Sequence, residues 1–200
     1  MKLLFASKNP AKIGRYIDLL KEHGINVITL RDLEDVNIKV EENGKDAMEN
    51  AYIKAKSYYD ATGITTIGID DTLFIEGIPE DIQPGTHVRR VNGKELTDQE
   101  MIEYYSGLVK QYGKDDKLDV KWISGLVIYD DKGPRKYTWN REDMYFVSKP
   151  SEKIDKGYPL SSITYYPDVK KYSIDLTEEE KENHNFKGHV VDFIVNNLKV

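Results

Sequence analysis

The sequence predicts an α/β protein, and three observations predict it. Residues 2–6, KLLFA, form a short apolar run of the kind that fills a buried strand. A marked helix start at Asn9 and Pro10 and a second apolar run, INVITL, follow at once, so residues 2–30 read strand, helix, strand, the signature of a βαβ unit. Further on, DVKWISGLVIYD and RKYTWNREDMYFV flank the turn DKG as a β-hairpin, which implies a sheet extension or a second lobe after the βα alternation.

In chain order, the first helix has Asn9 as N-cap and Pro10 at its first position, where a missing N–H costs nothing. Ile13, Tyr16, Ile17 and Leu20 recur on one face, and Gly24 supplies a stop. KDAMENAYIKAKSYYDATG predicts a second helix with Met48, Ala51, Ala55, Tyr58 and Tyr59 on one arc and Glu49, Asn50, Ile53 and Lys54 on the opposite, polar one. ITTIGID is the next strand, expected to end on the pair Asp70–Asp71 before the loop EGIPEDIQPG. Thr97 and Glu100 make a capping box for a helix presenting Met101, Tyr105, Leu108 and Tyr112. Trp122 and Trp139 lie on the hairpin strands as packing residues. A second capping box, Thr177 and Glu180, precedes a stripe of Val190, Val191, Ile194 and Leu198. No linker or clean boundary divides the 200 residues, so one domain in two lobes is expected.

Composition narrows the chemistry. The chain has no Cys, which excludes thiol catalysis, disulfides and thiolate metal sites; any metal must sit on oxygen or imidazole. The net charge of −6, with basic residues scattered among acids, argues against a surface for duplex nucleic acid. Neither a signal peptide nor a membrane span is legible, and a cytoplasmic protein with no membrane partner is expected.

Three groups of residues carry candidate chemistry. Ser7, Asn9 and Lys12 occupy the first strand-to-helix turn, where free N–H groups and the helix dipole favour an anion; the same residues also describe a capped surface helix. Glu49, Asn50 and Lys54 share a helix face, the alternative being an ordinary solvated one. Asp70 and Asp71 stand where an α/β sheet usually binds ligands, the alternative being a polar turn. Strand alternation sends the two side chains in different directions, so one can hold a metal while the other orients water. Magnesium suits one or two such carboxylates together with substrate phosphates.

Taken in order, SKNPAK, ENAYIKAK and GIDDT resemble the motifs of the inosine/xanthosine triphosphate pyrophosphatase family. Its pattern Ser/Thr-x-Asn-x-x-Lys is matched by Ser7, Asn9 and Lys12, and Glu-Asn-Ala-x-x-Lys-Ala by Glu49, Asn50, Ala51, Lys54 and Ala55. Asp/Glu-Asp-Ser/Thr is matched by Asp70, Asp71 and Thr72. Pro84, Gly85 and Arg89 or Arg90 look like the family's next motif. The resemblance implies a long mixed central sheet flanked by helices, in two lobes around a nucleotide cleft, as a homodimer. It implies hydrolysis of a nucleoside triphosphate to monophosphate and pyrophosphate. By it, Ser7, Asn9, Lys12, Asn50, Lys54, Thr72 and Arg90 would bind substrate, Glu49 and Asp71 would hold Mg²⁺, and Asp70 or Asp71 would orient or deprotonate the water. Glu49→Gln or Asp71→Asn is then expected to abolish hydrolysis.

The later motifs depart from the family. Where it carries Gly-Phe-Gly-Tyr-Asp-Pro, this chain has KGYPLSS, with Pro159 and Leu160 in place of the acid. Where it carries Ser-His-Arg, Asn185, Phe186 and Lys187 align; Lys187 can still donate to a base carbonyl and Phe186 can stack on a base. Leu73 replaces a common Gly. The expectation is an intact phosphate half and altered base selectivity, since one lost polar contact shifts discrimination strongly. The alternatives are a Maf-type nucleotide pyrophosphatase, whose opening turn typically carries adjacent arginines absent here, and a nucleotide-binding sensor without turnover.

Overall fold

The computed structural model describes residues 2–33, 38–185 and 187–198. Its seven-stranded mixed sheet runs in the order β2-β1-β3-β6-β7-β8-β9. β1 (Lys2–Ala6) lies parallel to β2 (Asn26–Thr29) and to β3 (Thr66–Ile75). β6 (Lys117–Asp130) and β7 (Gly133–Val147) are neighbours joined by only two residues, which forces them antiparallel. β8 (Thr164–Tyr166) and β9 (Lys171–Tyr172) continue the antiparallel edge, while β4 (Arg90–Val91) and β5 (Lys94–Glu95) form a separate small ribbon. The helices are α1 (Pro10–Glu22), α2 (Ala47–Thr62), α3 (Asp98–Tyr112), α4 (Glu178–Asn185) and α5 (Lys187–Leu198). Among the described residues, no helix is long and apolar enough to cross a membrane.

The chain divides into two compact units, one of residues 1–71, 124–139 and 186–200 and another of 72–123 and 140–185. In the first, β1 is apolar at successive positions because both of its faces are covered. Leu3 and Phe5 pack with Ile67, Ile69, Leu126 and Ile128 under Tyr16 and Leu20 of α1 and Val190, Val191 and Ile194 of α5. Leu4 and Ala6 face the other way with Tyr58, and Val127 packs there against Ala51 and Ala55 of α2. Each fully buried Leu or Ile of these layers contributes about 1.5–3 kcal/mol relative to exposure. α1 begins as its sequence signals, with Asn9 Oδ1 accepting the Ala11 N–H at 2.9 Å and Pro10 first in the helix. It closes at Gly24, whose φ of 73° only glycine adopts without strain.

The second unit is built on α3, whose capping box forms as expected: Thr97 Oγ1 accepts Glu100 N–H and Glu100 returns to the Thr97 N–H. Met101, Tyr105 and Leu108 are buried against Leu73, Ile75, Phe146 and Tyr166. The Tyr105 hydroxyl donates to Val88 O at 2.8 Å. The Thr177–Glu180 box also forms and opens α4.

Two expectations are corrected here. β3 does not end at the acidic pair; it runs on to Ile75, with Leu73 bridged to Gly85. What ends is its ladder with β1, whose last partner pair is Ala6 and Gly68, so the acids lie just past the end of β1. And on α2 the buried stripe is Ala47, Asn50, Ala51, Lys54, Ala55 and Tyr58, so Asn50 and Lys54 lie within the sheet-facing arc instead of opposite it. α2 can sit this close because β3 and β6 offer glycines beneath it. A Cβ on Gly68 would collide with the Ala51 carbonyl oxygen and lie 2.9 Å from Ala55 N, and one on Gly125 would lie 2.8 Å from Met48 Cα.

Candidate active site

Alternation along β3 sends Asp70 to the α2 face, with Gly68, and Asp71 to the α1 face, with Ile67 and Ile69. Each acid meets the lysine of its own face. Lys54 Nζ lies 3.4 Å from Asp70 Oδ1 and 2.9 Å from Glu42 Oε2. Lys12 Nζ lies 2.6 Å from Asp71 Oδ2 and 3.6 Å from Asp70 Oδ1, tying the two carboxylates together. The remaining oxygen of Asp71, Oδ1, accepts a 2.6 Å hydrogen bond from Ser124 Oγ. Asp70 Oδ2 is different: it is buried and has no hydrogen-bond partner among the described residues. A buried, unsatisfied carboxylate oxygen is costly unless something binds it.

The opening turn borders this cluster. Ser7 is buried and its Oγ accepts the Asn9 N–H at 3.2 Å, while Asn9 caps α1. The two side chains therefore shape the turn, and the first turn of α1 carries no acid that would compete for an anion at its positive end. A pocket of about 410 Å³ runs beside the turn, with Ser7 and Ile13 in its lining and Lys8 and Arg31 adding cations.

Two expected site residues have other partners. Asn50 is 1% exposed, and its Oδ1 accepts the Gly44 N–H at 2.8 Å. That contact anchors the segment carrying Glu42, which places Asn50 behind the cluster and not at its surface. Glu49 is in the first turn of α2 with its side chain 45% exposed, and its carboxylate takes the Lys45 backbone N–H and Lys45 Nζ, both at 3.0 Å. The Lys45 backbone bond, followed by its ammonium, holds the Glu49 carboxyl below the usual range. Among the described residues, no three acids or histidines group as a ready metal cage.

In the second unit, Thr72 follows Asp71 on β3. Arg89 spends its guanidinium on Asp98, 2.7 Å away, and on Leu96 O, whereas Arg90 is exposed on β4. Pro159 and Leu160, which stand where the sequence resemblance expects an acid, are buried in a 3₁₀ turn, Leu160 in the core around α3. Lys187 opens α5 in the first unit; Phe186 lies outside the described residues.

Sequence reasoning missed Glu42 and Ser124. Glu42 carried no signal beyond its charge. Ser124 did: it is a small polar residue inside the apolar run WISGLVIY, where burial demands a partner.

Lys54 shows how tightly the cluster is balanced. Its side chain is 10% exposed, and replacing it with Met leaves Asp70 with the more distant Lys12 ammonium, 3.6 Å away, and its unsatisfied Oδ2. Urea unfolding of Lys54→Met is expected to show a loss of about 2–3 kcal/mol, below the full cost of breaking a buried pair because Glu42 can turn to water. An unchanged midpoint would mean that the pair contributes nothing to stability.

Fold and cluster together define an α/β protein that sets two lysines and a pair of adjacent carboxylates at the end of a parallel ladder, beside a helix N-terminus. The chain belongs to the Ham1 family, whose sequence pattern matches residues 3–196. It is 30% identical to a dITP/XTP pyrophosphatase of Dictyoglomus thermophilum over 188 residues, covering 92% of this chain and 88% of that one. It is 25% identical to a dITP/XTP pyrophosphatase of Clostridium perfringens, covering 99% and 97%. Among solved structures it superposes on the Staphylococcus aureus Ham1 protein with a TM-score of 0.77 at 20% identity, covering 99% and 98% of the two chains. A HAM1 protein from Coxiella burnetii gives 0.77 at 24% identity with the same coverage.

Proposed function

We propose that this protein hydrolyses nucleoside triphosphates, non-standard purine forms such as dITP and XTP among them, to monophosphate and pyrophosphate with Mg²⁺. The observation that carries the reading is the cluster in which Lys12 bridges Asp70 and Asp71 while Asp70 Oδ2 stays buried and unsatisfied. Two ammonium groups there face the carboxylates of Asp70, Asp71 and Glu42, which leaves one negative charge in excess and one carboxylate oxygen without a partner among the described residues. The relatives named dITP/XTP pyrophosphatase support the substrate class.

In this reading Lys12 and Lys54 are counter-ions that pass from the aspartates to the triphosphate, with Ser7 and Asn9 shaping the turn that receives it. Mg²⁺, when bound, would neutralise phosphate oxygens, with Asp71 and Glu49 as its carboxylate ligands. Glu49 reaches that role by giving up Lys45. The water oxygen attacks the α-phosphorus, the bond from that phosphorus to the bridging oxygen breaks, and pyrophosphate leaves. Asp70 or Asp71 takes the water's proton. Thr72 and Arg90 are proposed as further substrate contacts, with Phe186 and Lys187 at the base. A homodimer in the cytoplasm completes the proposal.

The test is pyrophosphate release from a panel of ribo- and deoxynucleoside triphosphates, including inosine and xanthosine forms, with and without Mg²⁺. Metal-dependent release of pyrophosphate and monophosphate is expected; no turnover on any member, with nucleotide still bound, would leave a sensor. Because Pro159 and Leu160 are buried apolar residues where the resemblance expects a polar acid, the kcat/KM advantage of inosine over adenosine and guanosine triphosphates is expected to fall within about tenfold. A strong inosine preference would refute that second expectation.

A further inference from the structure

Ser124 has no role in the motifs that carry the family resemblance, yet its hydroxyl donates a hydrogen bond to Asp71. It is 1% exposed on β6, on the face that Leu126 and Ile128 give to the core under α1 and α5. β6 is the sheet neighbour of β3, and at Ser124 it passes Asp71. An ionised carboxylate only accepts, so the single hydroxyl proton of Ser124 is committed to Asp71 Oδ1 at 2.6 Å.

The backbone that carries this hydroxyl is held from two sides. Ser124 O accepts the Thr138 hydroxyl at 2.9 Å, from the neighbouring strand β7. The next residue, Gly125, lies directly under the start of α2, where an added Cβ would stand 2.8 Å from Met48 N and Met48 Cα. By contrast, the other oxygen, Asp71 Oδ2, meets Lys12 Nζ, at the tip of a flexible four-carbon stem. One oxygen of Asp71 is thus fixed by the sheet, and the other is held by a group able to move away.

We infer that Ser124 is a positioning residue for the hydrolysis: it locks Asp71 through Oδ1 so that Oδ2 is the oxygen exchanged between Lys12 and an incoming divalent cation or water. This rests on the reading of Asp71 given above. Outer hydrogen bonds of this kind typically change metal affinity or activity by 10–100-fold when removed.

The experiment pairs two readouts on the parent, Ser124→Ala and Ser124→Thr proteins: Mn²⁺ binding followed by the electron paramagnetic resonance of the free ion, and steady-state hydrolysis. Ser124→Ala is expected to weaken Mn²⁺ binding about tenfold and to lower kcat by about 10–100-fold with KM for the nucleotide within about threefold. Ser124→Thr keeps the hydroxyl and is expected to restore both to within about threefold of the parent. Parent-like Mn²⁺ binding and kcat in the Ala variant would overturn the assignment, as would equal losses in Ala and Thr, which would mark packing alone. Should the Ala variant not fold, Ser124→Cys, similar in size but a weak donor, takes its place with the same criteria. If the parent turns over no nucleotide while Mn²⁺ affinity still falls in the Ala variant and returns in Thr, the pyrophosphatase reading fails and what stands is the lock of Ser124 on Asp71 as a cation ligand.

Discussion

Asp71→Asn is expected to lower pyrophosphate release by roughly a thousandfold while the protein folds as before. The substitution keeps shape and changes charge. Ser124 can donate to an amide oxygen as it does to Asp71 Oδ1, or accept from the amide NH₂ if the group flips, so the bond to β6 survives either way. What cannot survive is the negative charge opposite Lys12 Nζ, 2.6 Å away. A neutral amide neither holds a divalent cation well nor takes a proton from water, so both functions proposed for this position are lost together. Lys12 keeps Asp70, 3.6 Å away, and the Ser124 bond persists, so the protein stays folded, and urea unfolding run beside the assay separates lost chemistry from lost fold. Glu49→Gln, made beside it, asks whether the exposed acid on α2 leaves Lys45 to join the metal; it too is expected to abolish hydrolysis without unfolding. Asp71→Asn activity within a few-fold of the parent would end the assignment.

What the sequence made legible was whatever its own neighbours determine. Asn9 and Pro10 start α1, Thr97 with Glu100 starts α3 and Thr177 with Glu180 starts α4, because a cap and its N–H donors lie within a few residues of one another. The hairpin of β6 and β7 is legible for the same reason. Its turn is reinforced locally, with the Arg135 guanidinium on both oxygens of Asp130. The errors arose where partners are distant. Asn50 and Lys54 read as a solvent face because polar residues usually are one; their burial depends on Gly44, Glu42 and Asp70, none of them on α2. Two turn-forming acids read locally as the end of β3, but Leu73 and Ile75 belong to a core assembled from α3, β6 and β7. The candidate site divided along the same line. The phosphate-side motifs were readable as short patterns, whereas Ser124, fifty-three positions from Asp71, offered only an out-of-place hydroxyl.

Gly68→Ala is where fold and site meet, and it is expected to be the most destabilising single change proposed here. A methyl at this position points into the α2 backbone, at the Ala51 carbonyl oxygen and 2.9 Å from Ala55 N. Side chains relieve such crowding by rotating; a helix backbone cannot. Either α2 moves off the sheet as a body, opening gaps around Ala51, Ala55 and Val127, or β3 bends away from β1 at the Ala6–Gly68 pair. Overpacking of this kind costs about 3 kcal/mol or more, because no repacking within one layer absorbs it. Gly14→Ala is the matched control: a helical glycine with nothing within 4 Å of an added Cβ, where the methyl is expected to stabilise by about 0.5–1 kcal/mol. The functional consequence follows from the same displacement. α2 carries Lys54, and Gly68 lies two residues before Asp70 on the same face of β3, so a helix lifted from Gly68 takes the ammonium away from its carboxylate. At a temperature where the variant is still folded, KM for the triphosphate is therefore expected to rise about tenfold, the 1.4 kcal/mol equivalent of one weakened charged contact. A Gly68→Ala protein with the parent's melting temperature and KM would show that α2 is free to shift at this contact, and that the lysine and the aspartate do not depend on the glycine between them.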